Sequence, residues 1–188
     1  MATATRLFAE RGLNGVSIRE LSTAAGVSIS MISYHFGGKE SLYSSVLQEQ
    51  FSTFDHIEEL KGIADPLDKI EGYIRWTITR HRNNPYLLRY YTSELTNPTQ
   101  YFTPVVQPAI KSVIQFLIEA VEVGISNNQF RKELNAADTV LAMVGMVNYY
   151  FLSKLATQDI VSHSPERDEE LIQHYMDIFV KGICMNKG

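Results

Sequence analysis

The side chains of this protein that could do metal or acid–base chemistry are five histidines, one cysteine and twenty-one carboxylates. Metal binding on a helix needs two ligands one turn apart, and His35, His56, His81, His163 and His174 make no His-x-x-x-His pair. Cys184 stands alone, so neither a Cys-x-x-Cys motif nor an intrachain disulfide is available. It reads as a small buried hydrophobe, and a single thiol suits a reducing, cytoplasmic setting. No Gly-x-Ser-x-Gly elbow, Walker loop or dinucleotide fingerprint occurs. The acidic runs Glu58-Glu59 and Asp168-Glu169-Glu170 read as solvated helix faces. An enzyme, a cofactor and a bound metal are therefore not expected.

What remains is a constellation built for binding. From Ser17 to Phe36 the chain carries a short helical pattern with Ile18, Leu21 and Ala25 on one face, then Gly26, then Val27 and Ser28, then a second pattern returning Ile32 and Phe36 to the core. Gly26 suits a tight turn because it accepts positive φ without a steric penalty. Val27 plugs the angle between the helices and Ser28 caps the second one. Two short helices joined by such a turn form a helix-turn-helix. The second helix offers small polar side chains, Ser30, Ser33 and His35, which let it sit deep in a DNA major groove about 12 Å wide, together with Met31 and Tyr34. An ordinary helical hairpin carries a similar pattern.

The elements that must hold this constellation are helical throughout. The 188 residues, 45% hydrophobic, suffice for one or two domains with a real core, and a net charge of −4 fits neither an acidic disordered tail nor a basic nucleic-acid coat. The apolar stretches fall short of the roughly 18 to 20 residues of a membrane span, so a soluble protein without membrane association is expected. Ser17 and Glu20 form a capping box. Asp65-Pro66, Asn84-Pro85 and Ser164-Pro165 each place a cap before a proline, and Asn135 with Asp138 marks another helix start. The periodicity predicts about nine helices, near 2–11, 18–25, 29–35, 39–60, 66–82, 86–95, 104–127, 136–156 and 165–184. The expected class is all-α: a three-helix helix-turn-helix domain over residues 1–47 and a larger helical bundle over 48–188, joined by one continuous helix from Lys39 to about Leu60.

Leu7-Phe8-Ala-Glu-Arg-Gly12, Ser17-Ile-Arg-Glu-Leu21, Ala25-Gly-Val-Ser28 and Tyr34-His-Phe-Gly-Gly-Lys-Glu-Ser-Leu42, in register over about the first 47 residues, resemble the DNA-binding domain of the TetR/AcrR family of bacterial regulators. The resemblance implies a homodimer on double-stranded operator DNA, with a ligand-binding domain behind the reading head. It implies that Ser28, Ser30, Met31, Ser33, Tyr34 and His35 meet bases and phosphates, and that Ser17 and Lys39 meet phosphates. In the family, further residues, often basic, precede the position of Met1. Residues 1–50 hold four bases (Arg6, Arg11, Arg19, Lys39) and four acids (Glu10, Glu20, Glu40, Glu49), a formal charge of zero. Readout by hydroxyls, imidazole and contacts with thymine methyls is therefore expected, with modest affinity and a shallow salt dependence. The same neutrality suits a protein-interaction adaptor on this fold that has lost DNA binding.

In the larger domain, Tyr73, Trp76, Tyr90, Tyr91 and Phe116 are the candidate lining of an apolar or aromatic effector pocket, since a bundle core rarely needs so many hydroxyl-bearing rings. His81 reads as a surface or already satisfied histidine. The apolar stripes of the last two helices are the candidate dimer interface, with Val140, Val144 and Phe151 on one and Tyr175 and Phe179 on the other. The expected function is a cytoplasmic, ligand-responsive repressor that an effector releases from a palindromic operator.

Overall fold

The computed structural model describes residues 1–52 and 54–184. Among these it is all-α, with eleven α-helices in chain order: α1 (Ala2–Arg11), α2 (Ile18–Ala25), α3 (Ile29–Phe36), α4 (Lys39–Phe51), α5 (Phe54–Lys61), α6 (Pro66–Asn83), α7 (Leu87–Thr96), α8 (Gln107–Ser126), α9 (Ala136–Leu152), α10 (Lys154–Thr157) and α11 (Asp168–Ile183). A π-helical turn over Phe102–Val106 precedes α8, and a 3₁₀ turn over Pro165–Arg167 leads into α11. No helix among the described residues is long and apolar enough to cross a membrane.

Local signals account for most helix starts. Ser17 and Glu20 close the capping box of α2, Asp65 caps α6 ahead of Pro66, and Asn135 caps α9 by accepting from the Asp138 N–H at 3.0 Å. Three expectations fail. The helix expected over 39–60 is not continuous: α4 ends at Phe51 and Ser52 is extended (φ −62, ψ 115). Serine competes poorly for helix because its hydroxyl stabilises other backbone conformations. The helix expected over 136–156 breaks at Ser153 into α9 and α10. Asn84 ends α6 instead of capping the next helix, which begins beyond Pro85 at Leu87.

The chain divides into two compact units, one of residues 1–52 and 85–110, the other of residues 53–84 and 111–188. In the first, α1 to α4 close around Leu7, Phe8, Val16, Leu21, Ile32, Val46 and Leu47. α7 and the π turn complete this core with Tyr90 and Val106. In the second, Ile70, Tyr73, Ile74 and Ile78 of α6 meet Leu117 and Val121 of α8, Val140, Met143 and Val147 of α9, and Ile172, Met176 and Phe179 of α11. Gly124 marks a close approach there: a Cβ on it would overlap the ring of the fully buried Phe130.

Candidate nucleic-acid interface

α3 is aimed by the turn and the cap at its N-terminal end. Gly26 is left-handed (φ 65, ψ 29), and its N–H reaches back to the Ser22 and Thr23 carbonyls. The Ser22 hydroxyl locks the turn by donating to the Val27 carbonyl at 2.5 Å. Ser28 then caps α3, its Oγ accepting from the Met31 N–H at 3.2 Å and lying 2.8 Å from Ser30 Oγ. Leu21 and Ile32 hold the two helices together from inside, with Ile18, Val27 and Phe36 packed at the margin of the core. Ala25 is exposed, not a core residue as its spacing suggests. With Met31 it edges a cavity of about 360 Å³ that Met1, Ala4, Leu21 and Phe36 also line.

The outward face of α3 carries Ser30, Met31, Ser33, Tyr34 and His35, all exposed, with Tyr34 85% accessible. The Tyr34 and His35 rings sit edge to face, 5.1 Å apart. No charge stands on this face when His35 is neutral. It can offer hydroxyl donors and acceptors, an imidazole and a thioether to base edges.

Ser17 and Lys39 are less free than their types suggest. Ser17 Oγ accepts from the Glu20 N–H at 3.2 Å and donates to the Glu20 carboxylate at 2.9 Å, while the Ser17 N–H donates to that carboxylate at 2.8 Å. The backbone hydrogen bond from Ser17, then its hydroxyl and Arg11, hold the Glu20 carboxyl down to about 2. The Lys39 ammonium, 19% accessible, donates to the Leu13 carbonyl at 3.1 Å and lies 3.8 Å from Glu40. Arg6 pairs with Glu10 at 3.3 Å and Arg11 with Glu20 at 3.0 Å. Of the four bases in residues 1–50, Arg19 alone has no carboxylate partner among the described residues, and it is exposed on α2 next to the capping box. Sequence reasoning passed it over; nothing in the sequence shows that the other three are paired.

Two buried tyrosines were also missed as positioning residues. Tyr43 of α4 donates to the fully buried Glu94 of α7 at 2.7 Å, and Thr99 closes the same carboxylate with its N–H and hydroxyl at 3.0–3.1 Å. Tyr90 of α7 donates to the Thr5 carbonyl of α1 at 2.7 Å. Burial first, then Glu94, raises the Tyr43 hydroxyl far above its ordinary pKa. The helices around α3 are thereby tied to α7.

The candidate effector residues fall in both units. Tyr73, Trp76 and Phe116 belong to the second, where the Tyr73 and Trp76 rings are 6.1 Å apart. Tyr90 and Tyr91 belong to the first, and the Tyr90 hydroxyl is committed to Thr5. His81 is not a surface histidine: its Nε2 lies 2.8 Å from Asn148 Oδ1 and its Nδ1 is buried with no partner among the described residues. The side chain of Phe54, one of the aromatics in this region, lies outside the described residues.

Of the candidate dimer residues, Val140, Val144, Tyr175 and Phe179 are buried in their own subunit, and Phe151 packs against that core. The exposed stripe of α9 is a different one, formed by Leu141, Gly145, Tyr149 and Leu152; α11 exposes Ile178 and Gly182.

A family model described as "Bacterial regulatory proteins, tetR family" matches residues 1–46, and one described as "Tetracyclin repressor-like, C-terminal domain" matches residues 66–181. The HTH-type transcriptional repressor KstR2 of Mycolicibacterium smegmatis is 21% identical over 189 residues, covering 98% of this chain and 89% of that protein. The ketosteroid transcriptional regulator KstR2 of Mycobacterium tuberculosis superposes with a TM-score of 0.78 at 19% identity, over 98% of this chain and 93% of that one. The transcriptional regulator FadR from Bacillus subtilis, solved in complex with stearoyl-CoA, superposes with a TM-score of 0.75 at 17% identity, over 96% of each chain. At such identities the superpositions speak for the fold, whereas the matches over residues 1–46 and 66–181 speak for kinship: the chain belongs to the tetR family of bacterial regulatory proteins and is a helix-turn-helix regulator of transcription.

Proposed function

We propose that the protein is a cytoplasmic repressor that binds a palindromic operator as a homodimer and releases it when a small, largely apolar effector occupies the second unit. The observation that carries this reading is α3: a capped, rigidly aimed helix whose exposed face is polar and uncharged. Ser28, Ser30, Ser33, Tyr34 and His35 read base edges and Met31 meets thymine methyls, while Ser17, Lys39 and the unpaired Arg19 meet phosphates. KstR2 is named for ketosteroids and the FadR structure holds stearoyl-CoA, both with large apolar bodies, which supports an apolar effector here.

A dimer would place two α3 helices about 34–36 Å apart, one turn of DNA. The exposed stripe Leu141, Gly145, Tyr149 and Leu152 of α9, with Ile178 and Gly182 of α11, is the surface we assign to the second copy. Two such helices from each subunit make a four-helix interface with glycines at the close approach.

Mobility shift with DNA from upstream of the protein's own gene tests the reading. Tyr34→Ala is expected to weaken operator binding about ten-fold, the loss of one base contact. Because most bases of the reading head are internally paired, the salt dependence is expected to correspond to fewer than about eight released counterions. No binding to any genomic fragment in a selection would sink the repressor and favour the adaptor. A monomer at micromolar concentration would sink the dimer.

A further inference from the structure

Among the described residues, the second unit holds a set of buried polar atoms without hydrogen-bond partners. Thr77, 6% exposed, has no hydrogen bond at Oγ1. His81, one turn further along α6 and therefore on the same face, has none at Nδ1. His56 of α5, whose ring stacks on Trp76 at 4.8 Å, has none at Nε2. Native interiors leave few such atoms, and each costs stability unless something satisfies it. Three around one stretch of α6 make a pattern, and aromatic surfaces flank it: Trp76 beside His56, and Phe151 with its ring centre 4.8 Å from that of His81.

The proton positions say what is wanted. His81 Nε2 faces the Asn148 carbonyl oxygen, so it carries the hydrogen and Nδ1 presents a lone pair. Burial first, with Arg80 adding to it, keeps the His81 pKa below its ordinary value despite the bond to Asn148, so the ring stays neutral. A carboxylate would set its own lone pairs against that nitrogen. A hydroxyl fits both neighbours, giving its hydrogen to the imidazole and taking one from threonine. We propose that Thr77 and His81 are the polar wall of the effector site, and that the effector is an apolar molecule bearing an alcohol or phenol hydroxyl. That hydroxyl donates to His81 Nδ1 and accepts from Thr77 Oγ1. The inference rests on the effector-responsive reading above.

Binding of matched probes to the full chain tests it, each an alcohol or phenol against its parent hydrocarbon, with 2-naphthol against naphthalene as the first pair. The hydroxyl member is expected to bind about ten-fold more tightly, the worth of one good hydrogen bond, and to lose that preference in Thr77→Val and His81→Phe. Without any probe, Thr77→Val is expected to raise Tm by roughly 2–4 °C, since it removes an unpaired buried hydroxyl at constant shape. Equal binding within the pair overturns the proposal, as does a preference that survives both variants. So does a Thr77→Val protein of lower Tm, because the hydroxyl is then satisfied within the protein or by bound water. Operator binding by the unaltered protein without probe tests the repressor reading separately, so the failure of one is not mistaken for failure of the other.

Discussion

The two units treat buried polar groups in opposite ways. In the first, the fully buried Glu94 carboxylate is closed by Tyr43 and Thr99, and Tyr90 is closed by the Thr5 carbonyl. In the second, His56, Thr77, His81 and His163 each keep one buried nitrogen or oxygen without a partner among the described residues. Both units have an extended cluster of buried apolar side chains, so the contrast is one of polar satisfaction. A fully paired interior specifies one arrangement and resists change. An interior with unmet donors and acceptors is raised in energy and lowered again by a molecule that meets them, which is how ligand affinity and conformational bias become linked. On the proposed reading, the first unit holds a shape and the second is completed by its effector.

The contrast can be attacked from its strong side first. If the second unit is slack only at polar positions, its apolar packing must be unforgiving. Gly124→Ala is expected to cost about 3 kcal/mol in urea denaturation, because the new methyl meets the buried Phe130 ring. A near-neutral result would mean that this unit is loose throughout. In the first unit, Tyr43→Phe deprives a carboxylate with no solvent access of one of its donors and is expected to cost about 2 kcal/mol. Stability retained in that variant would deny the unit its tightness.

Ser17→Ala removes the cap of α2 and is expected to cost about 1 kcal/mol. It also changes the acid profile. The Glu20 carboxyl sits at about 2 when folded against an ordinary 4.5, so its contribution is complete above pH 4.5 and is lost as pH falls toward 2. The loss of stability over that window is expected to shrink in the variant. The smallest effect belongs to His81. Its folded pKa is lowered by burial, so the unfolded chain binds the proton first, and stability should drop as pH falls through 6.5. Denaturation at a series of pH values should show that drop diminished in His81→Gln; an unchanged drop would assign it to another group.

How much of this was legible beforehand differs along the chain for a physical reason. α1, α2 and α3 were located almost to the residue, because Ser17, Glu20, Gly26 and Ser28 act on backbone groups within five positions of themselves. The breaks at Ser52 and Ser153 fall at serines whose local effect apolar periodicity does not record, whereas the end of α6 at Asn83 lies within one residue of its expected limit. Tyr43 and Glu94 lie fifty-one positions apart, and no local pattern announces their bond. The apolar stripes of α9 and α11 were visible, yet a stripe does not say whether its own subunit or a second copy covers it. Val140 and Phe179 went inward while Leu141 and Ile178 stayed out.

The tie between Tyr43 and Glu94 matters to anyone who would exchange DNA specificities among relatives. A reading head cut out as the first fifty or so residues leaves its companion acid and Thr99 behind in the parent chain. Such a chimera buries a tyrosine hydroxyl against whatever side chain the host supplies, and it forfeits rigidity even when every base-contacting residue has been carried across. The transferable cassette is discontinuous: residues 1–52 together with 85–110.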